Sequence, residues 1–138
     1  MSDHTQPIRS FRDLRIWQVA MVLAERVYTM SRDFPKDETY GLRAQLRRAV
    51  ISVPSNIAEG HTRSHTKEYL NHLSIAQGSL AETQCQLEIA MRLGYVASRQ
   101  IQEILEMCEV LAKQMHSLRN ALLKKVSVPS PQPLTPNP

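Results

Sequence analysis

The sequence predicts an all-α fold, an antiparallel up-down-up-down four-helix bundle. Three observations carry that expectation. Four separate stretches repeat apolar residues at the three- and four-residue spacing of a helix, and no stretch alternates apolar and polar residues as a half-buried strand would. Glycine is scarce, with 4 in 138 residues. The connections between the apolar stretches are short, which makes consecutive helices antiparallel neighbours. A chain of this length supports one core rather than two. The expected organisation is an N-terminal extension over residues 1–10, the bundle over 11–125, and a disordered Pro-rich tail over 126–138. Five of the eight prolines fall in the last ten residues (Pro129, Pro131, Pro133, Pro136 and Pro138), and a segment so rich in proline forms neither helix nor central strand.

Ser10, followed three residues later by Asp13, has the spacing of a capping box and predicts a first helix over residues 13–33. Its apolar residues form two adjacent stripes. One is Ile16, Ala20, Leu23, Val27 and Met30; the other is Leu14, Trp17, Met21, Ala24 and Tyr28. An apolar arc that wide predicts contact with more than one neighbour.

Pro35 ends this helix, and Asp37 and Glu38 place negative charge where the dipole of the next one favours it. The second helix shows Leu42, Leu46, Val50, Val53 and Ile57 on one face. Pro54 lies inside that pattern and leaves the Val50 carbonyl without its usual donor, so a kink between Val50 and Pro54 is expected. Gly60 is read as a weak point or exit.

Ser64 or Thr66 is the expected cap of the third helix. Its stripe is Tyr69, Leu73, Ala76, Leu80, Thr83, Leu87 and Ala90, closed by Leu93-Gly94 as a glycine C-cap. Ser98 is the expected cap of the fourth, where Ile101, Ile104, Cys108, Leu111, Met115, Leu118 and Leu122 form the stripe. Sustained heptads on short-looped helices predict near-parallel packing at roughly 20°.

The run Gln45-Leu46-Arg47-Arg48-Ala49-Val50-Ile51-Ser52-Val53-Pro54-Ser55-Asn56-Ile57-Ala58-Glu59-Gly60 joins adjacent arginines, an internal proline and a small, polar exit. Helix physics does not require that combination. With Arg63, it resembles the signature of the proteins encoded by intervening sequences within 23S rRNA genes. Phe11-Arg12-Asp13-Leu14, Trp17-Gln18, Phe34-Pro35, Tyr40-Gly41-Leu42, Ile75-Ala76-Gln77-Gly78-Ser79-Leu80 and Leu93-Gly94-Tyr95 resemble that family as well. The resemblance implies a compact four-helix bundle assembled as a homopentamer, in a family whose biochemical role is poorly defined. A more distant similarity is to the accessory protein of diversity-generating retroelements, which works with a reverse transcriptase and binds nucleic acid.

The formal net charge is +4. Between Thr39 and Lys67 stand five basic residues, Arg43, Arg47, Arg48, Arg63 and Lys67, against Glu59 alone, a balance of +4. The rest of the chain has twelve of each sign, so the excess is concentrated in one segment, as phosphate contact requires. The alternative is that these arginines pair with carboxylates and anchor the packing. Ile51 points away from the core stripe beside Ser52 and Ser55. Together with Trp17, Met21 and Tyr28 on the over-wide first helix, Ile51 and Ser55 are the expected oligomer interface. Aromatic residues make up only 5% of the chain, too few for recognition of single-stranded RNA by stacking.

No Gly-rich phosphate loop, GxSxG or HExxH occurs. Glu68 and His72, and His61 and His65, are four apart, but di-iron bundles use Glu-x-x-His with further inward glutamates, so no metal site is expected. Cys85 lies off its helix's stripe and Cys108 lies in its own, with no CxxC and no adjacent base. The expectation is a non-enzymatic protein with no cofactor and no small-molecule substrate. No apolar run approaches the 18 or so residues of a membrane span, so the chain is expected to be soluble and cytoplasmic. Its expected partners are copies of itself, a pentamer by resemblance, and structured RNA or a nucleoprotein. A protein-interaction scaffold with structural arginines is the rival; a metal or thiol enzyme is a third and weaker one.

Overall fold

The computed structural model describes residues 7–127. They form α1 (Arg15–Ser31), α2 (Leu42–His61), α3 (Thr66–Arg92) and α4 (Ser98–Ser127), with 3-10 turns at Phe11–Asp13 and Lys36–Glu38 and no strand among the described residues. The first six residues of the expected extension, and the Pro-rich tail from Val128 onward, lie outside the described residues.

The apolar stripes become the core. Ile16, Ala20, Leu23, Val27 and Met30 of α1 are buried with Leu46, Val50, Val53 and Ile57 of α2. Leu73, Ala76, Leu80, Leu87 and Ala90 of α3 and Ile101, Ile104, Cys108, Leu111, Met115 and Leu122 of α4 complete the cluster. Each helix packs on its sequence neighbours and α4 returns to α1, whereas the α1 and α3 backbones keep apart, as do those of α2 and α4. That is a four-sided arrangement in chain order.

The helix starts differ from expectation. Ser10 and Asp13 do form the capping box, but it closes the 3-10 turn; Leu14 then adopts an extended conformation and α1 begins at Arg15. The break lets Phe11 turn back onto Trp17, edge to face, with centroids 5.2 Å apart. Neither Ser64 nor Thr66 caps α3, whose N-cap is His65 without a side-chain bond. Ser98 is the first residue of α4; its hydroxyl faces the Met91 sulfur at 3.9 Å, while Ala97 offers its carbonyl to the Gln100 and Ile101 N–H groups.

The other ends follow the sequence. α3 finishes in a Schellman motif: Tyr95 N–H donates to the Ala90 carbonyl and Gly94 N–H to that of Met91, both at 3.0 Å. This needs the left-handed φ of +77° at Gly94. Glu38 supplies the α2 start, its Oε1 accepting the Leu42 N–H at 3.0 Å. Its Oε2 accepts the Tyr95 hydroxyl at 2.8 Å, and the Tyr95 ring lies 5.6 Å from that of Phe34. The α1–α2 and α3–α4 connections are thereby tied together at one end of the molecule. α2 continues through Pro54, which is buried, and ends at His61, one residue beyond Gly60. A Cβ on Gly60 would stand 2.7 Å from His72 Cβ and 3.1 Å from Tyr69 Cδ1, so the glycine is what allows α3 to approach there.

Candidate interaction surfaces

The five basic residues of the central segment do not form one patch. Arg43 and Arg47, one turn apart on α2, reach back to the end of α1. Arg43 Nε donates to the Ser31 carbonyl at 3.0 Å, and one of its terminal nitrogens donates to the Phe34 carbonyl. Arg47 Nε donates to Ser31 Oγ at 2.9 Å and Nη2 to the Tyr28 carbonyl at 3.0 Å, with its guanidinium 4.5 Å over the Tyr28 ring. The last carbonyls of a helix lack intrahelical donors and carry the negative end of its dipole. α1 has no basic residue in its own last turn, and the two arginines of α2 supply what it lacks. Ser31, fully buried, receives both.

Arg63 is also engaged. It pairs with Glu59 at 2.8 Å and lies 3.9 Å from Glu68, all three side chains being well exposed. An exposed pair of this kind contributes little, about 0–1 kcal/mol. Arg48 and Lys67 are exposed and enter no ion pair among the described residues.

The expected interface residues do converge. Trp17, Met21, Ile51 and Ser55 line a mostly apolar groove of about 330 Å³ between α1 and α2, completed by Ala24, Pro54 and Ala58. Met21 and Ile51 are 37% and 43% exposed, large for apolar side chains beside an open groove. Tyr28 lies in the adjoining depression of about 510 Å³, which shares Ile51 and is bordered by Arg43, Arg47 and Arg48. Ala24 and Pro54, expected as part of an apolar stripe and as a kink, and Ala58 were not among the expected interface residues. The available signal was the 51-54-55-58 spacing, one helical face of small residues around Ile51.

Ser52 turns the other way, toward α3. Ser79 donates its hydroxyl to Ser52 Oγ at 2.8 Å, Asn56 Nδ2 donates to Ser52 at 2.9 and 3.0 Å, and His72 Nδ1 lies 3.1 Å from Asn56 Oδ1. A depression of about 290 Å³ beside this seam is lined by Gln45, Arg48, Ala49, Ser52, Ser79 and Glu82. Buried Gln86 donates to Glu82 at 3.2 Å, leaving its own Oε1 without a partner among the described residues.

The residues weighed for metal or thiol chemistry have other surroundings. His72 meets Asn56, His61 stands edge-on to Tyr69 with centroids 5.8 Å apart, and Glu68 faces Arg63. No group of three potential metal ligands comes together among the described residues. Burial pushes the Cys108 thiol up to about 12, which keeps it neutral, and it pushes the Tyr69 hydroxyl up to about 12. Cys85 is exposed. No helix among the described residues is long and apolar enough to cross a membrane.

The profile of the 23S rRNA-intervening sequence proteins matches residues 12–117 of this chain. A comparison with curated proteins finds no match. Among solved structures, a protein of unknown function of the S23 ribosomal protein family from Bacteroides thetaiotaomicron superposes with a TM-score of 0.69 at 21% identity. The match covers 75% of this chain and 97% of that one. At that identity the likeness concerns the fold.

Proposed function

Because the chain belongs to the 23S rRNA-intervening sequence protein family, we propose that it works without catalysis, as a self-associating four-helix bundle whose copies meet at the α1–α2 groove. One observation carries this reading: Trp17, Met21, Ile51 and Ser55, far apart in sequence, line a single open apolar groove. Large apolar side chains gathered at a groove are what an isologous or ring-forming contact buries. The helices run alternately up and down, with α2 bent near Pro54, and the assembly is the homopentamer that family resemblance implies, working in the cytoplasm. Basic side chains that face solvent meet structured RNA or a nucleoprotein. Repetition of a modest patch in each subunit raises its avidity.

Light scattering coupled to size-exclusion chromatography tests the assembly. The wild type is expected near five times the 15.7 kDa chain mass, and Ile51→Asp is expected to yield monomers of unchanged helix content. A monomeric wild type, or an Ile51→Asp protein that keeps the native mass, removes the groove as the interface. A second reading, a protein-interaction scaffold, draws support from the commitment of the Arg43 and Arg47 donors to carbonyls and the Ser31 hydroxyl of this chain. It predicts a defined oligomer that ignores RNA even at low salt.

A further inference from the structure

The charge excess is concentrated at one end of the molecule. The 3-10 turn at Phe11–Asp13 packs on both α1 and α2, and Trp17, near the α1 start, shares a groove with Ala58, near the end of α2. The α1 start and the α2–α3 connection therefore share an end. α4 reaches it as well. Glu25, Arg26, Thr29 and Met30 of α1 share a groove with Gln100, Glu103 and Ile104, so α4 begins beside the last turns of α1. From Met30 back to Arg15 is about 22 Å at 1.5 Å per residue. The same number of residues along α4 from Ile104 reaches Arg119, with Lys124 and Lys125 beyond it.

Residues 7–15, 59–68 and 119–127 carry eight basic residues, Arg9, Arg12, Arg15, Arg63, Lys67, Arg119, Lys124 and Lys125. Against them stand three acidic ones, Asp13, Glu59 and Glu68, a balance of +5. The opposite end, residues 32–38 and 88–103, has four basic and five acidic residues, a balance of −1. The three carboxylates of the basic end are occupied locally. Asp13 accepts the Arg9 and Ser10 N–H groups at 2.8 and 3.2 Å, and Glu59 and Glu68 face Arg63. Arg9, Arg12, Arg15, Lys67, Lys124 and Lys125 are exposed, and among the described residues none of them enters an ion pair.

We infer that this end of the bundle, rather than the α2 face, is a binding surface for the phosphate backbone of a nucleic-acid duplex. The charge is spread across three chain segments and suits a broad polyanion better than a single phosphate. Base stacking has no platform here. Phe11 is held edge-on against Trp17, with the Arg12 guanidinium 4.6 Å over its ring. Recognition is therefore through the backbone, independent of sequence and steeply dependent on salt. The inference rests on the nucleic-acid part of the function proposed above and changes which residues carry it.

The test is fluorescence anisotropy of a labelled RNA duplex of about 20 base pairs, titrated with full-length protein over a salt series. The variants are the triple Arg15→Gln/Lys124→Gln/Lys125→Gln and the single Arg48→Gln, with circular dichroism to verify the fold and light scattering to verify the mass. All four substitutions are at exposed positions. The triple variant is expected to bind at least about tenfold more weakly, with a salt slope smaller by about 2–3, and Arg48→Gln to bind within about twofold of wild type. If Arg48→Gln carries the loss and the triple variant binds normally, the end is not the site, and the nucleic-acid reading stands on α2. If the wild type ignores the duplex at low salt, both fall. Binding to vesicles containing phosphatidylserine without binding to the duplex also overturns the inference.

Discussion

Arg47 holds Tyr28 twice, donating from Nη2 to its carbonyl at 3.0 Å and laying its guanidinium 4.5 Å over its ring. With Nε on Ser31 Oγ, this one side chain fastens the end of α1 to α2. A lysine keeps the charge and loses both the planar fork and the stacking. Arg47→Lys is therefore expected to cost about 1–3 kcal/mol in urea unfolding. A neutral result would mean that the fork does not secure the end of α1.

Two glycines should respond in opposite directions. Gly78 has open space where a Cβ would go, so Gly78→Ala is expected to stabilise by about 0.5–1 kcal/mol through helix propensity. Gly60→Ala drives its methyl into His72 and Tyr69, with Cβ distances of 2.7 and 3.1 Å. Overpacking there is expected to exceed the propensity gain and cost about 1–3 kcal/mol. Paired thermal melts check both, and a stabilised Gly60→Ala would show that α2 and α3 separate easily at that point.

Acid should loosen the tie between the two connections. The Leu42 N–H, then the Tyr95 hydroxyl, hold the Glu38 carboxyl below the ordinary glutamate range. A depressed folded-state value stabilises fully above the unfolded value and is lost as the pH falls through the folded one. The contribution is thus complete above the ordinary glutamate range and is lost progressively as the pH falls below it, through the lower folded value. Glu38→Gln is expected to flatten this part of the pH–stability profile. Tyr95 has the opposite sign: its bond to Glu38 raises the hydroxyl above its ordinary range. Its contribution is complete below about pH 10 and is lost at more alkaline pH.

The two cysteines should differ in a thiol titration. Cys85 is exposed, whereas Cys108 is buried and its thiol is pushed up to about 12 by desolvation first and Glu109 second. One thiol per chain is expected to react in the native protein and two after unfolding. Fast native reaction of both would mean that the core opens around α4.

The sequence alone determined the fold class and much of the core. Apolar periodicity depends only on helix geometry and the gain from burial, so one stripe from each helix reappears as the buried cluster, with Leu42, Tyr69 and Leu118 half-buried at its margin, while the second stripe of α1 stays partly exposed. Gly94 was legible as well, because only a local φ requirement was at stake. The ordered motifs identified the family for the same reason: they are written in the chain itself. Tertiary structure decided what the polar residues do. Arg43, Arg47 and Arg48 are near-neighbours in sequence, yet two of them turn to the α1 carbonyls and the third to solvent. No local rule shows that Ser31, at 0% exposure, awaits them. Gly60 was legible as lying at the end of α2, but not as the point that admits α3. Charge count was likewise readable only per segment. The basic end inferred above, drawn from the α1 start, the last turns of α4 and the α2–α3 connection, depends on helix direction and length in three dimensions. Long-range electrostatic and carbonyl-capping partners come from different segments, and only the folded chain brings them within reach.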